Sequence, residues 1–256
     1  MLIFMAKAAE KKYFKSIGPH GLEFTLQKPF SDLPNLGALL SNIAAVITVI
    51  CNKFCYENVG VIDIGCGTGW TSYFLARADY QVIGVDLSKD AIKAAQTKFA
   101  DELANLEYIN GDFEKLPSRL SGFEVALFID SLHHADNPLV ALQSAYKIMR
   151  ENGICIICEP GRGHSKAFDA IKAREDYGVN ENDIVPKEIK KMAKKVGFKK
   201  VKILPYPPDI HKIVYKEFSP KTLKSKLLNN VAARALALFY EQIYKKKQEG
   251  LIVLYK

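Results

Sequence analysis

Val59-Gly-Val-Ile-Asp-Ile64, followed directly by Gly65-Cys-Gly67-Thr-Gly69-Trp70, is the stretch on which the reading of this chain turns. Its first half is an apolar run of strand length ended by glycines, which predicts a buried strand. Glycines then stand at alternate positions 65, 67 and 69. Having no Cβ, they let the backbone turn tightly and let a ligand approach it closely. From Trp70 to Ala78 the apolar spacing becomes helical. Strand, glycine turn and helix in immediate succession predict a ligand loop at the carboxyl end of a strand.

The same rhythm continues downstream. Gln81–Asp86 reads as a second strand, and Ser88 as the cap of a helix running to about Phe99. Leu106–Asn110 and Phe123–Asp130 read as strands three and four. Asn137-Pro138 opens a helix to Arg150, since proline suits a first helical turn. Asn152-Gly153 then turns the chain into strand five, Ile154–Cys158. These strands are nearly continuous in apolar residues rather than alternating, as expected when helices cover both sheet faces. Regular alternation of strand and helix implies right-handed βαβ units. Beyond residue 160 the sequence predicts a helix over Pro186–Val196, a strand over Phe198–Leu204 and a rigid turn at Pro205–Pro208. A helical excursion from about Pro220 to Lys247 and a last strand, Gly250–Tyr255, complete the chain. The expected fold is therefore α/β: a doubly wound, mostly parallel seven-stranded sheet with helices on both faces, in a single domain over 1–256. Residues 1–45 form an N-terminal helical lid, and the C-terminal part a helical excursion.

At 256 residues and 48% apolar composition, one core is readily built. Ala38–Cys51 is apolar, but it contains Ser41, Asn42 and Thr48 and falls short of the roughly twenty residues a bilayer span needs. It reads as a core-facing helix, with peripheral membrane contact as the alternative. Cys51, Cys55, Cys66, Cys155 and Cys158 show no disulfide framework, and Cys155-Ile-Ile-Cys158 lies inside an apolar strand. A zinc site there would need two further ligands. Buried thiols in a reducing cytoplasm are the expectation, with no metal. Charge is uneven: residues 1–150 carry 14 Lys and Arg against 16 Asp and Glu, whereas residues 151–256 carry 22 against 12. A basic half can attract nucleic acid, phosphorylated sugars or anionic lipid. Lys190, Lys191, Lys194 and Lys195 equally suit the solvated face of a helix.

A dinucleotide fingerprint, G-x-G-x-x-G, would require glycine at position 70, where this chain has Trp70. Asp63-Ile64-Gly65-Cys66-Gly67-Thr-Gly69 instead resembles motif I of the class I, Rossmann-like methyltransferases that use S-adenosylmethionine (SAM). The resemblance implies that this loop wraps the methionine part of SAM and that Asp63 helps to orient its ammonium group. Asp86, at the tip of strand two, is placed to accept hydrogen bonds from both ribose hydroxyls. Asp86-Leu87-Ser88 is similar to the family's segment at that position. At Gly111-Asp112-Phe113 the resemblance assigns Asp112 to the adenine amino group and Phe113 to the wall beside the ring. Asp130-Ser-Leu-His133-His134 is similar to the family's "LHH" segment beside the transferable methyl. The likeness covers about residues 59–160, so 46–160 is the SAM-binding half and 161–256 the substrate-shaping half. The implied cofactor is SAM, leaving S-adenosylhomocysteine (SAH) as product.

A hydroxyl acceptor would need a base, and His133, His134 and His164 are the candidates because imidazole titrates near neutral pH. Adjacent histidines suggest that one faces the pocket while the other packs structurally or faces solvent. There is no N-P-P-Y or D-P-P-Y after strand four, the signature of many enzymes acting on base or amide nitrogens. No Asp/Asn cluster marks a catechol-type magnesium site. Small-molecule or sugar hydroxyls are therefore favoured. The stretch Glu159-Pro-Gly-Arg-Gly-His-Ser165, with Tyr177-Gly-Val179 and Ile184-Val-Pro186 downstream, looks like methyltransferases of bacterial glycan assembly. Tyr206, Tyr215, Phe218, Phe239 and Tyr240 could stack on a sugar or pack the excursion onto the sheet. Tyr13 and Phe14 suit a lid over SAM. The alternatives are an RNA methyltransferase, favoured by the basic half, a non-catalytic SAM-binding scaffold, and, last, an NAD-dependent enzyme.

Overall fold

In the computed structural model seven strands form one sheet: β1 (Gly60–Ile64), β2 (Gln81–Asp86), β3 (Leu106–Asn110), β4 (Phe123–Ile129), β5 (Met149–Glu159), β6 (Lys200–Leu204) and β7 (Gly250–Tyr255). Their order is β3-β2-β1-β4-β5-β7-β6. Neighbours from β3 through β5 are parallel, and β7 runs antiparallel to both β5 and β6. The structure describes residues 2–55, 58–100, 102–117, 119–215, 234–236, 238–239 and 249–256.

The helices are α1 (Leu2–Glu10), α2 (Tyr13–Ser16), α3 (Gly18–Leu26), α4 (Leu36–Phe54), α5 (Trp70–Arg77), α6 (Lys89–Ala95), α7 (Pro138–Ile148), α8 (Phe168–Tyr177), α9 (Pro186–Val196) and α10 (Pro207–Tyr215). Alternate strand residues face opposite ways and build two apolar layers. Val61, Leu127, Ile156 and Val253 face a layer that contains Ile43, Val46 and Ile50 of α4 and Leu75 of α5. Ile62, Phe128, Ile157 and Ile252 face the layer that contains Leu142 and Ala145 of α7 and Ile189 and Ala193 of α9. Both faces are covered, which explains the unbroken apolar runs. Strand order reverses between β1 and β4, so the carboxyl ends of β1, β2 and β4 open on one crevice.

Several local readings change. Asn152-Gly153 is not a turn between helix and strand: β5 starts at Met149, and the pair sits in an irregularity where the β4–β5 register shifts. Asn152 takes φ 64, and a Cβ on Gly153 would lie 3.0 Å from both the Arg150 and Glu124 carbonyl oxygens. That geometry makes a bulge, which bends the strand without ending it. α6 ends at Ala95 and passes into a π turn over Gln96–Ala100. Pro207 and Pro208 open α10 rather than closing a rigid turn, again because a first helical turn tolerates the missing N–H. The apolar helix expected at 38–51 runs the 19 residues Leu36–Phe54, long and apolar enough by length and composition to cross a membrane. It packs Leu39, Ile43, Val46, Ile50 and Phe54 into the core. α4 also crosses residue 45, where the lid was expected to end. The lysines at 190, 191, 194 and 195 are exposed on α9, opposite buried Ile189 and Ala193. Cys155 and Cys158 belong to opposite layers, so they cannot share a metal. The excursion helix expected over 220–247 falls largely outside the described residues, as do Phe218 and Tyr240; 234–236 and 238–239 are helical.

Candidate active site

The loop after β1 is shaped by its glycines. Gly65, Gly67 and Gly69 take φ 78, 54 and 84, the left-handed region where a side chain is strained. A Cβ on Gly65 would meet Ser131 Cβ at 2.5 Å, and one on Gly69 would meet the Tyr108 ring at 2.5 Å. The loop is tied to β2: Gly65 N donates to Val85 O at 2.7 Å, and Gly67 N donates to Asp86 Oδ2 at 2.9 Å. Asp86 Oδ1 accepts from Ser88 N at 2.8 Å. Burial raises the Asp86 carboxyl to about 6, although both backbone bonds pull it down.

One cavity of about 490 Å³ lies over this loop. Gly65, Cys66, Gly67, Asp86, Leu87, Asp112, Phe113, Asp130, His133, His134 and His164 line it. Asp63, Ile64 and Gly69 do not. Asp63 is buried, and its Oδ2 accepts from Thr71 Oγ1 and, at 2.6 Å, from Ser72 Oγ. It anchors the start of α5 instead of reaching for an ammonium group. Asp112 is likewise engaged: Oδ1 accepts from Glu114 N at 2.9 Å, and Oδ2 pairs with Lys7 Nζ at 2.9 Å. Lys7 also pairs with Glu114 at 3.2 Å, so α1 is pinned across the far end of the cavity. Tyr13 and Phe14 line the roof; Tyr13 meets Tyr177 edge to face at 5.3 Å.

At the other end the three histidines come together. The His133 and His134 rings are 4.1 Å apart, and those of His133 and His164 are 4.6 Å apart. Glu159, the last residue of β5, organises them. Its Oε1 accepts from Ser131 N at 2.9 Å and Leu132 N at 2.7 Å, while Oε2 lies 2.6 Å from His133 Nδ1. His134 Nδ1 lies 2.7 Å from Asn180 O and 3.2 Å from Glu10 Oε1. His164 Nε2 lies 2.6 Å from Glu181 Oε2, which is also 3.5 Å from His133 Nε2. Burial lowers the His133 pKa well below 6.5, so this ring is neutral, and burial raises Glu159 to about 7. Burial also pulls His134 down, but the hydrogen bond and charge of Glu10 outweigh it and hold the ring up to about 9. Burial raises Asp130, with Glu159 adding to the shift.

Neither motif nor spacing had singled out Glu10, Glu159 or Glu181 as site residues. Asn180-Glu181-Asn182-Asp183 frames the cluster. Asn182 Nδ2 donates to His133 O at 3.0 Å, and Asp183 accepts from Gly163 N at 3.0 Å and Ser165 N at 2.8 Å, which holds the His164 turn. An amide- and acid-rich run between two apolar flanks was the available signal.

The family model described as "Methyltransferase domain" matches residues 62–157. A ubiquinone biosynthesis O-methyltransferase of Psychrobacter arcticus is 29% identical over 158 residues, 56% of this chain and 60% of that protein. One from a Caulobacter sp. is 31% identical over 123 residues, 48% of each chain. The chain thus spans about half to three-fifths of these curated relatives. The crystal structure of the plantazolicin methyltransferase BpumL in complex with a monoazolic desmethylPZN analog and SAH superimposes with a TM-score of 0.62. That match has 16% identity and covers 100% of this chain and 96% of the other, a likeness of fold.

Proposed function

We propose that this chain, whose residues 62–157 match a methyltransferase domain model, is a class I, SAM-dependent methyltransferase that methylates a hydroxyl oxygen of a small molecule. The residues present fit SAM. The glycine loop leaves room that a Cβ on Gly65 or Gly69 would take from neighbouring side chains, and Asp86 offers a carboxylate at the ribose position. SAM supplies a methyl group on a sulfonium; the acceptor oxygen takes the methyl, the C–S electron pair stays on sulfur, and SAH leaves.

The observation that carries the acceptor reading is the Glu159–His133 pair at the floor of the cavity. Glu159 is held by two backbone N–H groups and in turn orients His133 through Nδ1, which turns Nε2 toward the acceptor pocket. The relatives' O-methylation supports oxygen as the acceptor atom. A sugar acceptor, the finer expectation from residues 159–186, draws no support from them. Tyr13 and Phe14 line the cavity, where they would help to shed water from the reacting centre once SAM and acceptor are bound. We place the reaction in the cytoplasm, where the buried thiols stay reduced.

The test is methyl transfer from isotopically labelled SAM to a panel of phenolic, aliphatic and sugar alcohols, with products identified by mass spectrometry. A methyl ether is expected, and His133→Ala is expected to lower kcat by roughly 10²–10⁴ while SAH still binds. Methylation of nitrogen alone, or unchanged turnover in Ala variants of all three histidines, would overturn the reading.

A further inference from the structure

The histidine cluster is built in a way that proton transfer alone does not need. We propose that His133, His134 and Glu181 bind a divalent transition-metal ion, with its open position toward the acceptor pocket. One ligand atom from each of these three residues lies within 4.8 Å of the others, and His133 Nε2 is already 3.5 Å from Glu181 Oε2. Tetrahedral coordination at about 2.0–2.1 Å sets ligand atoms about 3.3 Å apart, so small rotations close the site.

The decisive feature is how each imidazole is held. A metal-binding histidine almost always donates its second ring N–H to a carboxylate or a backbone carbonyl, which fixes the tautomer that presents the other nitrogen. Here His133 Nδ1 faces Glu159 at 2.6 Å, and His134 Nδ1 faces the Asn180 carbonyl at 2.7 Å. Both rings therefore present Nε2. The carboxylate ligand is also supported, since His164 Nε2 holds Glu181 Oε2 at 2.6 Å. Two imidazoles and one carboxylate with a fourth position open is a donor set that suits zinc, cobalt, iron or manganese better than magnesium, which prefers oxygen ligands.

The charge balance points the same way. Glu10, Asp130, Glu159 and Glu181 converge on the three rings, and among the described residues Lys7 and Lys28 are the lysines or arginines on the cavity wall. A 2+ ion bound here replaces any proton on the Nε2 atoms. An acceptor hydroxyl in the open position would ionise more readily. The proton so released would go to a carboxylate on the cavity wall, and the oxygen would then take the methyl group from sulfur.

This site deepens the hydroxyl-acceptor reading and rests on it for its catalytic role, so binding is measured without SAM or acceptor. The full chain, stripped with chelator, is titrated with Co²⁺ and followed by calorimetry and visible absorption. One equivalent is expected, giving the d–d bands of low-symmetry nitrogen and oxygen coordination without a thiolate charge-transfer band. Glu181→Gln and His134→Ala are expected to abolish stoichiometric binding, and Glu159→Gln to weaken it by about 10–100-fold. SAH binding, measured on the same samples, reports that each variant is folded. Absence of saturable Co²⁺ binding, a thiolate band, or binding unchanged in Glu181→Gln and His134→Ala would overturn the proposal. If Co²⁺ binds and SAH does not, the methyltransferase reading fails and the metal site stands.

Discussion

Replacing Asp86 with Asn tests the cofactor site where its geometry is most explicit. The carboxylate has about four acceptor positions. One is taken by Gly67 N at 2.9 Å and one by Ser88 N at 2.8 Å, which leaves two for the paired hydroxyls of a ribose. Asn keeps one oxygen and puts an NH₂ group in place of the other. Whichever way the amide turns, one backbone N–H then faces a donor, and one ribose hydroxyl loses its acceptor. A hydrogen bond to a charged group contributes about 1.5–3 kcal/mol. The lost ribose bond, with the slackening of Gly67, should therefore cost roughly 2–3 kcal/mol, about 30- to 150-fold in Kd. Calorimetric titration with SAH at pH 8, where the wild-type carboxylate is ionised, measures this directly. Adenosine should suffer the same loss, and methionine should not. An SAH Kd within about threefold of wild type, or a loss shared equally by methionine, would refute the assignment of Asp86 to the ribose.

The raised pKa of Asp86 gives a pH dependence of opposite sign for stability and for binding. Because the folded pKa of about 6 lies above the ordinary 3.8, the stability it contributes is present below pH 4 and lost as pH rises through 6. SAH affinity should instead rise over that window as the carboxylate ionises, and Asp86→Asn should flatten the rise; a flat wild-type profile between pH 5 and 7 would contradict it. Gly65→Ala combines φ 78 with a 2.5 Å collision against Ser131, whose N–H binds Glu159. It should cost about 2–3 kcal/mol and lower Tm by about 4–12 °C. Gly67→Ala, whose Cβ would meet only Phe14 at 3.3 Å, should cost less, and the reverse ranking in thermal melts would sink the argument.

What could be read from the sequence is what local backbone chemistry dictates. The doubly wound, mostly parallel sheet follows from strand and helix spacing, and the loop from its alternate glycines. Asp63 shows the boundary of that method. Its place in the motif is correct, yet its side chain is claimed by Thr71 and Ser72, eight and nine residues ahead on the first turn of α5. A motif locates the backbone and says less about where a carboxylate turns. Asn152-Gly153 makes the same point from the other side: the pair was read as a turn into strand five, but tertiary pairing with β4 made it a bulge in a continuing strand, with Asn152 at φ 64.

The acceptor end was less visible for a different physical reason. The contacts proposed for SAM gather on one loop and two strand tips, close to recognisable glycines. The cluster around His133 is assembled from four separate pieces of chain: Glu10 on α1, the turn after β4, Glu159 with His164 after β5, and Glu181 beyond α8. Each contributes one or two polar atoms, and no spacing rule links them. A lone Glu on an N-terminal helix, or between two asparagines, reads as solvated surface until the fold brings it to a buried imidazole. Burial then changes its chemistry: Glu159 moves to about 7 and His133 goes neutral because the same wall removes both from water. The residues that choose the acceptor are thus defined by their neighbours in space, and it is on Glu181, which touches two of the three histidines, that substitution should separate cofactor binding from methyl transfer.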